Sequence, residues 1–247
     1  MAAPPNKFPW DYDVPNDAFW TSLPFTTGRN FLQCFQKSEI EALSSQFDAS
    51  LSTDDKHRLL LRIVQAKLAE AREAASQKSN HHGGSGKSPL LLHEINYDAW
   101  QKFMLAQETM QHNLGLVADE EATLKEMLAH PRPGQDKNWS ALNMMSRLLE
   151  QQGRYAEAEG AALEVQPWME AHAQVGRGSP PAMGNMRMIL TAVWKQGRFD
   201  DARSIYKEMH HLVDDMGNGK FAQYQEEEAE MLETLMTDLE KWKLQHQ

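Results

Sequence analysis

The chain has 247 residues, of which 41% are hydrophobic and 24% charged, enough apolar material for a packed core beneath an ordinary charged surface. Its formal net charge of −10 argues against general nucleic-acid binding, which needs a basic face to displace counterions. A single cysteine, Cys34, rules out an intrachain disulfide and suits a reducing compartment.

Residues 1–30 form the first segment. Pro4, Pro5, Pro9, Pro15 and Pro24 alternate with Phe8, Trp10, Tyr12, Phe19, Trp20 and Phe25. Prolines at that density forbid one continuous helix, while free tails are usually poor in aromatics. An extended arm lying across outer helices is expected. A lid or pocket wall carrying Asp11, Asp13 and Asp17 is the other reading. No charged lead is followed by an apolar run, so no secretory signal is expected and the location is read as cytoplasmic. No stretch reaches the roughly 18 apolar residues of a bilayer span, so no membrane partner is expected.

Residues 31–77 are expected to form a helical hairpin. Phe31, Phe35, Ile40, Leu43 and Phe47 recur at helical spacing, with a break near Lys37-Ser38. Cys34, between Phe31 and Phe35, is read as inert packing. Ser52-Thr53-Asp54-Asp55 is a helix-start signal. In the helix that follows, Leu60, Ile63, Val64, Lys67, Leu68 and Ala71 trace one stripe, with Lys56, Arg58, Arg62 and Glu70 outside it.

Residues 78–90 read as a flexible linker. Gly86-Lys87-Ser88 ends like a phosphate-binding loop, but His81 stands where that motif needs glycine, and no strand precedes it. His81-His82 has no second ligand pair at metal-site spacing, and no cofactor is expected.

Residues 91–247 are grouped as one helical array. Tyr97, Trp100, Phe103 and Met104 mark one run and Leu124, Met127 and Leu128 the next, with Gly115 at the bend and His130-Pro131 as the stop. Beyond Asn218-Gly219 a last helix carries Phe221, Tyr224, Glu228, Met231, Leu235, Asp238 and Trp242 at steps of three and four, widened by Leu232 and Leu239. It is read as a cap on the array, or as a stripe for pairing with a second copy. Glu226 to Glu230 are read as a solvated face.

Between these lie two stretches in residues 139–209 that share one pattern at a fixed spacing. Gln152-Gly153-Arg154-Tyr155 matches Gln196-Gly197-Arg198-Phe199, and Ala158 matches Ala202, at one constant offset (197 − 153 = 202 − 158 = 44). Each copy predicts a helix, a turn closed by a left-handed glycine, and a second helix opening on an aromatic. Pro167 is expected to interrupt the first copy early, and residues 172–184, with two prolines and three glycines, to form a projecting loop. Leu142, Met145, Ser146, Leu149, Gly153, Tyr155 and Ala158, and then Met186, Ile189, Leu190, Val193, Gly197, Phe199, Ala202 and Tyr206, resemble the packing positions of the tetratricopeptide repeat family.

That resemblance implies an all-α protein of antiparallel hairpins stacked as a short right-handed superhelix with a C-terminal capping helix. It implies a non-enzymatic scaffold that binds a protein or peptide segment, an acidic one suiting its arginines, on the groove-facing sides of the first helices. The residues implied are Asn143, Arg147, Arg187, Trp194 and Lys195. The competing expectation is an enzyme enclosing an apolar small molecule between helices and the aromatic arm. His210, stacked over Asp214, or Asp17 would then move protons.

Overall fold

The computed structural model describes Phe8 and residues 11–82 and 91–246; the side chains of residues 78–82 are not described. The phosphate-loop and histidine-pair readings therefore fall on residues outside the described side chains. The protein is all-α, with no strand among the described residues. It divides into two compact units, Tyr12–Asn138 and residues 139–246 together with Phe8 and Asp11.

The first unit begins with a turn within the segment read as an extended arm. Asp17 Oδ1 accepts hydrogen bonds from the amides of Phe19 (3.0 Å) and Trp20 (3.3 Å), a side chain closing its own turn. This drives both rings inward, at 2% and 4% exposure, onto Phe31 and Phe47. Helix α1 (Phe25–Leu32) starts inside the segment read as an arm. Pro24 explains why: its fixed φ of −54° lies just ahead of the first turn, where a missing amide costs nothing. Gly28 lets Val14 approach, since a Cβ there would meet Val14 Cγ1 at 2.8 Å.

Helix α2 (Lys37–Leu43) continues into a 3₁₀ turn, and α3 (Thr53–His82) is the long helix of this unit. Ser52 caps α3 as its sequence signals, with the Asp55 amide donating to Ser52 Oγ at 3.1 Å. Leu60, Val64 and Leu68 are buried along one stripe. Lys56, read as outside that stripe, is only 3% exposed. Its ammonium donates to Ser22 Oγ (2.7 Å) and lies 5.3 Å from the centre of the Phe19 ring. The correction is physical: a long lysine stem can run through an apolar layer when its head finds a partner. Helix α3 also runs to His82, so part of the segment read as linker is helical.

Helix α4 (Leu92–Ile95) is one turn, followed by α5 (Tyr97–Asn113) and α6 (Val117–Ala129). Asn96 caps α5 by accepting from the Ala99 amide at 3.1 Å. Gly115, at φ +65°, makes the predicted bend. Trp100, Met104, Met110, Leu124 and Met127 are at most 1% exposed between α5, α6 and α3.

The second unit is the repeated one: α7 (Trp139–Gln151), α8 (Tyr155–Ala171), α9 (Pro180–Lys195), α10 (Phe199–Met216) and α11 (Gln225–His246). The two copies end their first helices identically. The amides of Gly153 and Arg154 donate to the carbonyls of Glu150 and Leu149, and those of Gly197 and Arg198 to Trp194 and Val193. Both glycines are left-handed, at φ +73° and +79°. This is the two-bond closure that gives a helix end its missing partners. The arginine recurs because it closes onto an acid three residues on: Arg154 to Glu157 at 2.6 Å and Arg198 to Asp201 at 2.9 Å.

Packing repeats as well. Helix α9 lies on α8 and touches α7, and α11 lies on α10 and α9. Leu232 and Leu239 of α11 are buried with Leu190, Val193, Trp194, Met209 and Val213. Tyr224, Leu235 and Trp242 of the stripe pack, partly buried, against the same cluster. Phe8 packs on Phe221 and Tyr224, with ring centres 5.3 and 5.9 Å apart, and the Tyr224 hydroxyl donates to Asp11 Oδ1 at 2.8 Å.

Two expectations here need correction. Pro167 does not interrupt the first copy; α8 runs through it to Ala171. The carbonyl that Pro167 leaves without an amide partner belongs to Leu163, a residue 50% exposed. The loop read as 172–184 ends at Ser179, whose hydroxyl caps α9, and Pro180 and Pro181 occupy its first turn.

Candidate functional site

The family resemblance singles out five residues of the second unit, which the structure distributes among three roles. Asn143 and Lys195 bridge α7 and α9. Asn143 Nδ2 donates to Asn185 Oδ1 at 2.8 Å, and Lys195 Nζ donates to Glu150 at 2.6 Å while lying 5.4 Å from the centre of the Tyr155 ring. Asn185 is 1% exposed and passes the link on, donating to the Ala162 carbonyl and to Gln166, each at 2.8 Å. Arg147 is half-buried on the same helix as Asn143.

Arg187 points to α11 and donates to Glu228. Glu228, read as part of a solvated face, is 1% exposed. Burial pushes its carboxyl above the usual carboxylate value, and the Arg187 charge pulls the other way. The correction arises because α11 lays its first turn against α9, so the acid facing inward needs a cation.

Trp194 is not a surface residue. It is 0% exposed, its indole nitrogen donates to the Leu239 carbonyl at 3.0 Å, and Phe199 meets it edge-on. The side of α9 read as facing a groove is, at this position, covered by α11. The sequence places Trp194 at a helix position that the resemblance treats as outward-facing. Only the path of the last helix decides otherwise.

The groups named for proton transfer are engaged elsewhere. Asp17 closes the first turn, as above. His210 meets Glu233 of α11 and the Tyr206 hydroxyl, each at 2.9 Å, in place of Asp214. Burial, then the Glu233 hydrogen bond, pushes the Tyr206 hydroxyl up to about 12. Burial likewise pushes the Cys34 thiol up to about 12, leaving it a poor nucleophile at neutral pH.

The first unit holds a different cluster, which the sequence did not single out. A cavity of about 340 Å³ lies among α3, α4, α5 and α6. Arg72 and Ser76 come from α3, His93 from α4, Trp100 from α5, and Glu126 and His130 from α6 and its end. His93 and His130 stack with ring centres 3.9 Å apart, and Trp100 lies 5.4 and 6.0 Å from them. Arg72 Nη2 donates to Glu126 Oε1 at 2.5 Å.

The frame around this cluster is tied down. The Tyr97 hydroxyl donates to the His130 carbonyl at 3.3 Å and accepts from Asn138 at 3.1 Å, while Arg132 lies 5.2 Å from the centre of the Tyr97 ring and pairs with Asp98 at 2.7 Å. Burial, then the facing His130, holds the His93 imidazole below its ordinary value, so it is neutral at pH 7. Thirty-seven residues separate the two histidines in sequence (130 − 93), and nothing in their spacing announces the stack.

Among the described residues no group of three or more His, Cys, Asp and Glu side chains is placed to hold a metal ion. No helix among them is long and apolar enough to cross a membrane. No family model matches the chain, and no curated protein and no solved structure matches it.

Proposed function

We propose that the protein is a non-enzymatic recognition module of tetratricopeptide type, holding a protein segment against the neighbouring faces of α7 and α9. The observation that carries this reading is the repetition of both turn and packing. The same glycine closure recurs, and α11 sits on α10 and α9 as α9 sits on α8 and α7. Helices packed in series leave the faces of their first members side by side, which is where arrays of this kind recognise extended segments.

The contact residues under this proposal are Arg147, Lys195, Glu150 and Asn143. Lys195 and Glu150 are each about one-fifth exposed, so a ligand carboxylate can compete with Glu150 for the ammonium without unfolding a helix. Trp194 and Arg187 support this surface from behind and do not form it. The occupant is therefore an acidic peptide segment.

The test is a display library of acidic peptides presented to the intact chain and to a variant carrying Arg147→Ala and Lys195→Ala. Retention should fall by about tenfold or more, the loss expected for a charge-assisted contact, while the thermal midpoint stays within a few degrees. Failure of any acidic peptide to bind the folded chain, or equal retention by the variant, would overturn the proposal.

A further inference from the structure

We infer that the cavity bounded by Arg72, His93 and His130 binds a small flat aromatic carboxylate, a site separate in its residues and chemistry from the α7–α9 surface. Three observations lead there. The walls are rings and aliphatic side chains: the stacked imidazoles, Trp100, Leu91 and Leu92. The polar groups leave several donors unpaired. Arg72 commits only Nη2, to Glu126 and weakly to Met104 Sδ at 3.9 Å. Neither imidazole has a hydrogen bond to the described residues, and Ser76 adds a hydroxyl. The carboxylate in the lining, Glu126, is already paired with Arg72.

A cavity with spare donors and ring-lined walls suits an occupant that is flat and brings its own acceptor. A guanidinium already held by Glu126 through Nη2 keeps its Nε and Nη1 N–H groups for a second carboxylate. About 340 Å³ is at the small end of ligand pockets, room for one or two fused rings. The stacked imidazoles offer a ring face to lie against and an N–H to orient the acid. An additional anion beside the stack also favours protonation of the imidazole that burial now disfavours, which gives the site its own spectroscopic reporter.

The experiment uses the full chain with 2-naphthoate as probe and its neutral amide, 2-naphthamide, and inorganic phosphate as comparisons, by isothermal titration and histidine ring-proton NMR. Saturable binding of 2-naphthoate is expected, with the amide at least about tenfold weaker and phosphate weaker still. The ring signals of His93 and His130, assigned by His93→Gln and His130→Gln, should move when the probe is bound, and that of His93 should titrate at higher pH. Arg72→Gln should weaken binding by about tenfold or more. Because that change leaves Glu126 without its cation, the double variant Arg72→Gln/Glu126→Gln is made as well and should bind as weakly. Lack of saturable binding overturns the inference, as does equal affinity for the amide or full affinity in both Arg72 variants. Zinc shifting the same histidine signals while 2-naphthoate does not would overturn it in favour of a metal.

Discussion

The repeated unit and the first unit bury their helices by different means, and the difference bears on where function resides. In residues 139–246 one hairpin recipe is used twice, and its polar inner residues are satisfied by one another: Asn143 with Asn185, Lys195 with Glu150, Arg187 with Glu228. In residues 12–138 no recipe repeats. Short helices are held by a turn of aromatics and by buried polar side chains such as Lys56 and His57, and a cavity with uncommitted imidazoles is left between four helices. Regular stacking produces a self-satisfied surface that an occupant must compete for, whereas irregular packing leaves groups waiting for a partner.

The sharpest way to break the comparison is Trp194→Ala. If α11 is held by the core rather than resting on an open groove, the loss should be about 3–5 kcal/mol, as for other buried aromatics. Hydrogen exchange in α11 should speed up along with it. A change under 1 kcal/mol would mean that the last helix does not seal α9. Arg187→Ala comes next: it strands the buried Glu228 carboxylate, a loss of about 3 kcal/mol, which Arg187→Ala/Glu228→Gln should partly restore in urea denaturation.

Smaller effects test whether the two hairpins are equivalent. Gly153→Ala and Gly197→Ala each force a left-handed alanine, and each should cost about 1–2 kcal/mol, by nearly equal amounts. Gly160→Ala lies inside α8 with open space around its Cβ and should stabilise by about 0.4–1 kcal/mol. Unequal costs at Gly153 and Gly197 would show that the copies share a sequence but not a mechanical role.

The smallest effect is a difference in pH response. Burial lowers the imidazoles of His57 and His93 from 6.5. A neutral imidazole favoured by folding contributes stability above its ordinary value, and this is lost as pH falls below 6.5 toward the lowered value. Glu228 has the opposite sign. Its raised carboxyl contributes stability fully present below 4.5 and lost as pH rises through the shifted value. Segment-resolved hydrogen exchange between pH 7.5 and 5.5 should therefore show α3 to α6 losing protection on acidification. His57→Gln should flatten that loss; an unchanged slope would remove His57 from the account.

Much of the fold was legible because it rests on local rules. The left-handed glycines, the Ser52 cap, the stripe of α3 and the bend at Gly115 each depend on residues within one or two turns. The misread elements have a common cause. Pro167 sits within a helix at a turn whose preceding residue Leu163 is exposed, and Pro180-Pro181 opens one because Ser179 supplies the cap. Both are decided by what surrounds the proline, not by the proline. The candidate sites were less legible. Asn143 and Lys195 do lie on facing helices, but Trp194 was read outward although it is sealed, and Arg72, His93 and His130 were passed over because no spacing joins them.

By itself the sequence determined the helices and their turns, and with them the all-α class, since periodicity and backbone-restricted residues act over a few positions. Only the tertiary structure decided which polar groups spend themselves on one another and which remain open. That choice belongs to pairs 41 to 45 residues apart, such as Arg187 with Glu228 and Glu150 with Lys195, and to a cavity drawn from four helices. A side chain's burial is set by the element that crosses it, and no residue in its own helix carries that information.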